Sequence, residues 1–154
     1  MRGGSSSDRA AFATELGRIL HHMEAGARRR LWDGWLRKYW EIRLDAIPLP
    51  LEDHEIIKML GWTPHLDDIF PEAVSLAVQA RRVVENHSSL LMKLRKSDLV
   101  ERFPEATAQL LIYLGDCVRG HLVADLFKIA SRIPPLPSVI DRELKEGLAR
   151  AGAE

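Results

Sequence analysis

A chain of 154 residues is long enough to bury a core without disulfide or metal staples. With 46% hydrophobic and 29% charged residues it is neither disordered nor membrane-embedded. Its 22 basic and 22 acidic residues cancel, which argues against a general polyanion binder but leaves room for a local basic patch.

Cys117 is the lone cysteine, so an internal disulfide and a cysteine-based zinc site are excluded, and a reducing cytoplasm is the expected compartment. The strongest apolar run, Leu110 to Leu114, is far too short to span a bilayer. Residues 1–7 (MRGGSSS) lack the hydrophobic segment of a secretion signal and read as a flexible leader or a linker from a preceding domain. Residues 8–152 are then expected to form a single helical domain.

Along the chain, helical spacing recurs and no two-residue alternation between turn signals marks a strand. Asp8 caps a first predicted helix with Phe12, Leu16, Ile19, Leu20 and Met23 on one stripe, ending near Gly26. A second predicted helix, Arg28 to Ala46, carries Leu31, Trp32, Trp35, Leu36, Tyr39 and Trp40 on one broad face. Charges at four-residue spacing (Arg29, Asp33, Arg37, Glu41) line the other. Pro48-Leu49-Pro50 stops it. Further helices are expected from Glu52 to Leu60, after Thr63-Pro64, and from Pro71 to about Ala80, with a loop over Arg81 to Ser88. Ser89 to Arg95, a turn capped by Ser97-Asp98, Pro104 to Cys117, Leu122 to Ser131 and Pro137 to Ala151 follow. The fold class is therefore all-α, with roughly seven to nine helices.

One pattern recurs. Phe70-Pro71-Glu72-Ala73 returns as Phe103-Pro104-Glu105-Ala106, 33 residues on, and Leu66 with Leu99 and Ala77-Val78 with Leu110-Leu111 match at the same offset. A third step reaches Leu136-Pro137. Proline fixes the first helical turn, and glutamate there favours the positive helix end. A period near 33 holding two helices is the mark of stacked helical hairpins in an α-solenoid-like array. The alternative is a compact bundle that reuses one way of starting a helix.

Chemistry is hard to find. Of His21, His22, His54, His65, His87 and His121, none has the spacing that sets two metal ligands on one helix face. Glu52, Asp53 and Glu55 suit a helix start better than acid catalysis, and Cys117 is expected to be a buried thiol. No phosphate loop, nucleophile elbow or dinucleotide fingerprint occurs. The expectation is no enzyme, no cofactor and no metal. The basic residues that could form a binding patch are Arg28, Arg29, Arg30, Arg37 and Lys38, with a second group of Arg81, Arg82, Lys93, Arg95 and Lys96. Trp35, Tyr39, Phe70, Phe103, Leu110 and Leu114 are expected to be buried.

The runs Trp35-Leu36-Arg37-Lys38-Tyr39-Trp40-Glu41, Ile47-Pro48-Leu49-Pro50-Leu51 and Met59-Leu60-Gly61-Trp62, with the two Phe-Pro-Glu-Ala elements, resemble an uncharacterised bacterial helical domain. That domain stands at the C-terminal end of large multidomain proteins, some with a sirtuin-like NAD-consuming domain at the other end and an association with phage defence. The resemblance spans roughly Leu31 to Leu148. It implies no active-site residues here, since any NAD chemistry belongs to a separate domain. The expected role is an interaction or architectural module for a protein partner or for self-association, with no membrane contact. The rivals are a nucleic-acid-binding domain using the two patches, and a metal-dependent hydrolase built around His65, Asp67 and Asp68.

Overall fold

A computed structural model describes residues 6–46, 61, 63, 67–79, 87–118 and 120–152. Among these every regular element is helical and there is no strand. The chain divides into two compact units, residues 1–81 and 82–154.

In the first unit α1 (Ser6–His22) starts two residues before Asp8 and stops before Gly26, which lies inside α2 (Ala25–Leu31). A single π-helical turn, Trp32–Leu36, joins α2 to α3 (Arg37–Ala46). In that turn the Arg37 N–H donates to the carbonyl of Trp32, five residues back instead of four. The 3₁₀ turn Asp67–Ile69 runs into α4 (Phe70–Ala77). Leu16 and Leu20 of α1, Trp32, Leu36 and Trp40 of the long helix, and Ile69, Phe70 and Val74 make the core. Trp32 and Trp40 meet edge to face with ring centres 5.9 Å apart.

The second unit holds α5 (Ser88–Lys96), α6 (Leu99–Arg102), α7 (Pro104–Gly115), α8 (Leu122–Ala130) and α9 (Ser138–Gly152). Helices α7 and α9 form its most extensive packing. They cross at two glycines. A Cβ on Gly115 would lie 3.0 Å from the Gly147 carbonyl oxygen, and one on Gly147 would lie 3.5 Å from the Ile112 Cα. Backbones approach this closely only where both side chains are missing. Leu110, Leu111 and Leu114 of α7 and Leu126 and Ile129 of α8 are wholly buried. Arg132 secures the end of α5. Its guanidinium donates to the carbonyls of Arg95 and Ser97 at 2.8 and 2.7 Å and to the Glu101 carboxylate at 2.6 Å.

Three of the predicted proline starts occur at helix starts, while Pro64 lies outside the described residues. Pro71 and Pro104 stand in the first turns of α4 and α7, and the Pro137 carbonyl accepts the first bond of α9, from the Asp141 N–H at 3.0 Å. A short helical turn precedes both Phe-Pro-Glu-Ala elements, over 67–69 and over 99–102. The aromatics differ in setting. Phe70 is wholly buried, whereas Phe103, expected to match it, is half-buried with the Arg102 guanidinium 5.1 Å above its ring. Phe70 is the first residue of its helix, following a 3₁₀ turn; Phe103 has extended-side angles (φ −132°, ψ 67°) as the cap of α7. The predicted helix Glu52 to Leu60, the Pro48-Pro50 stop and the loop from Arg81 fall outside the described residues.

Candidate interaction surface

The first basic group does not form a free cationic face. Arg28 is only 9% exposed. Its Nη2 donates to the Met23 carbonyl at 2.7 Å and its Nε to the Leu20 carbonyl at 3.3 Å, so it closes the C-terminal end of α1. Arg29 donates to Glu72 of α4 at 2.6 Å and lies 3.5 Å from Asp33 and 3.7 Å from Asp68. The hydrogen bond to Glu72 raises its pKa above the ordinary arginine value, against the opposing effect of partial burial. Arg37 meets Glu41 at 3.3 Å and the same Glu72 at 3.7 Å, and Lys38 stands 3.9 Å from Glu41. Arg30 is exposed.

Arg29, Arg37 and Lys38 thus stand among four carboxylates, Asp33, Glu41, Asp68 and Glu72. A polyanion would have to displace these anions, so this stretch is a poor phosphate surface. The structure gathers Arg29 and Arg37 at one acid, Glu72, 43 and 35 residues away in sequence. That long-range pairing has no local signal. Between α3 and α4, Arg37, Glu41 and Glu72 also border an open groove of about 650 Å³, lined in addition by Leu44, Pro71 and Leu76.

In the second unit Arg95 faces Asp125 of α8 at 3.4 Å, Lys93 is half-buried, and Lys96 is exposed in the last turn of α5. Arg81 and Arg82 lie outside the described residues, as do His54, His65, Glu52, Asp53 and Glu55. Asp68, the other acid considered with His65 and Asp67, is engaged by Arg29. Among the described residues no three His, Cys, Asp or Glu side chains gather as a metal site, and no helix is long and apolar enough to cross a membrane. Cys117 is buried and its thiol donates to the Tyr113 carbonyl at 3.4 Å.

Periodicity placed Trp35 and Tyr39 in the core, and the structure places neither there fully. Trp35, expected in the core, is 42% exposed, and Tyr39 is half-buried beside it. The two rings meet edge to face at 5.9 Å, and the Tyr39 ring meets half-buried Phe12 of α1 at 5.6 Å. Phe12, Tyr39 and Trp35 therefore form a continuous aromatic row that runs from the α1 side out to solvent. Ile19 of α1, also expected inside, is exposed as well. Such a row has a large apolar area and little conformational freedom to lose on contact, the qualities of interface anchors.

Comparison with curated proteins finds no match, and comparison with solved structures finds none either. The model of one family, a domain of unknown function designated DUF4020, matches residues 4–139, which is most of the chain, and the chain belongs to that family.

Proposed function

We propose that this chain is a non-catalytic helical interaction or architectural module, the C-terminal part of a larger bacterial effector protein, that engages a protein partner or a second copy of itself. The observation that carries this reading is the aromatic row ending at exposed Trp35. Exposed tryptophan is costly in water, and interfaces use it as an anchor more than any other surface does. Family membership supports a domain that lacks an assigned chemistry, and the tryptophan-rich run supports the place in a larger protein. The stacking of hairpins at a 33-residue period belongs to the same reading.

The nucleic-acid reading has less support, because Arg28 caps a helix and Arg29, Arg37 and Arg95 are matched by acids. Two measurements separate the readings. A photo-crosslinker at position 35, in protein expressed in its own cell, should join a discrete protein band, and one at exposed position 109 should not. Fluorescence anisotropy with single-stranded RNA and duplex DNA at low salt should show no binding. Crosslinks equal at the two positions, or nucleic-acid binding that falls steeply with salt, would overturn the proposal.

A further inference from the structure

We infer that the π turn Trp32–Leu36 is a one-residue insertion into an otherwise regular α-helix, and that the fold does not require it. The buried positions from α2 to α3 are Arg28, Trp32, Leu36, Trp40 and Arg43, with gaps of four, four, four and three. A straight α-helix, turning by about 100° per residue, covers four such gaps in about 14.4 residues. The four gaps from Arg28 to Arg43 run ahead of that period, with three consecutive gaps of four. A bond from residue i+5 to residue i places extra backbone in a turn, and the Arg37 N–H to Trp32 carbonyl bond sits in the middle of the surplus.

Pairs spanning the turn agree. Arg29 and Arg37 are eight residues apart, a separation of about 80° around a regular helix, yet both reach Glu72. Trp32 and Trp40, also eight apart, are both wholly buried with their rings in contact. In each case the turn makes eight residues serve where seven would align. The pair that lies wholly beyond the turn, Arg37 with Glu41, keeps ordinary four-residue spacing.

Gly34 marks the surplus. It is exposed, and a Cβ built on it would touch nothing within 4 Å. Asp33, Gly34 and Trp35 are the exposed residues of the turn, so the excess backbone lies on the same side as the one tryptophan that leaves the core stripe. π turns of this kind are frequent at functional sites. This inference does not depend on the proposed function, since it concerns what the core needs.

The test is deletion of Gly34, with deletion of exposed Gln109 from the uninterrupted helix α7 as the comparison. Without Gly34 the buried gaps become four, three, four and three, and a helix-weakening glycine is lost. The 222 nm ellipticity should be kept and the melting temperature should rise by about 2–4 °C. Deletion of Gln109 shifts Leu110, Leu111 and Leu114 out of phase and should lower the melting temperature severely. If deletion of Gly34 abolishes cooperative unfolding, or lowers the melting temperature as much as deletion of Gln109 does, the turn is part of the core design and the inference is wrong.

Discussion

Replacing Arg132 with alanine tests the packing logic of the second unit. Helix α5 ends with carbonyls that no later helical N–H can satisfy. Arg132 supplies the missing donors from beyond the end of α8. Nη1 reaches Arg95 at 2.8 Å and Leu94 at 3.4 Å, while Nη2 reaches Ser97 at 2.7 Å and both Glu101 oxygens at 2.6 and 2.8 Å. A hydrogen bond to a charged group contributes about 1.5–3 kcal/mol when water cannot replace it. Here the side chains are part-exposed, and bonds made by one guanidinium do not add, so about 2 kcal/mol is the reasonable total for Arg132→Ala.

Urea unfolding followed at 222 nm should show that loss at an unchanged slope, and thermal melting should fall by about 4–8 °C. Two companion variants locate the cause. Glu101→Gln removes only the exposed ion pair and should cost no more than about 1 kcal/mol. Arg132→Lys keeps the charge but loses the planar fork that spans the carbonyls, and should recover less than half of the loss. High salt should weaken the Glu101 part alone. If Arg132→Ala lies within about 0.5 kcal/mol of wild type, or Glu101→Gln is equally costly, the helix-end account fails.

Four further outcomes rest on the same kind of packing. Gly115→Ala should destabilise by about 1–2 kcal/mol, because its Cβ meets a backbone oxygen at 3.0 Å and overcomes the helix-propensity gain; Gly26→Ala, facing only the flexible end of Arg30, should stabilise by about 0.5–1 kcal/mol. Phe70→Ala should cost about 3–5 kcal/mol in urea unfolding and Phe103→Ala distinctly less, reflecting full against half burial. Trp35→Ala should cost under about 1 kcal/mol where Trp32→Ala costs about 3–5, which a pair of melting curves decides. Glu72→Gln should cost about 1 kcal/mol, less at high salt, since it weakens Arg29 and Arg37 contacts and removes an acid from the first turn of α4.

What the sequence made legible was mostly local. Helix starts at Pro71, Pro104 and Pro137 are dictated by the proline ring and its missing N–H, and they stand where that chemistry puts them. Full burial of Leu110 and Leu114 follows from the apolar density of α7. What was illegible depended on partners distant in the chain. Arg28 looks like part of a basic surface until the end of α1 is placed beside it, and Arg29 looks free until Glu72 arrives from 43 residues away. Gly147 is unremarkable in sequence and acquires its meaning from Gly115 across the helix crossing.

The error at Trp35 has a different origin and is the more instructive. Reading a stripe assumes a constant rotation per residue, and Trp32, Trp35, Leu36, Tyr39 and Trp40 do share a broad face under that assumption. The buried set instead steps by four through Arg28, Trp32, Leu36 and Trp40. One added residue absorbed in a wider turn keeps the residues on both sides in phase with the core and leaves only its own neighbourhood displaced. In a regular helix Trp32 and Trp40, eight residues apart, would stand about 80° from one another; the wider turn between them brings the two rings together in the core.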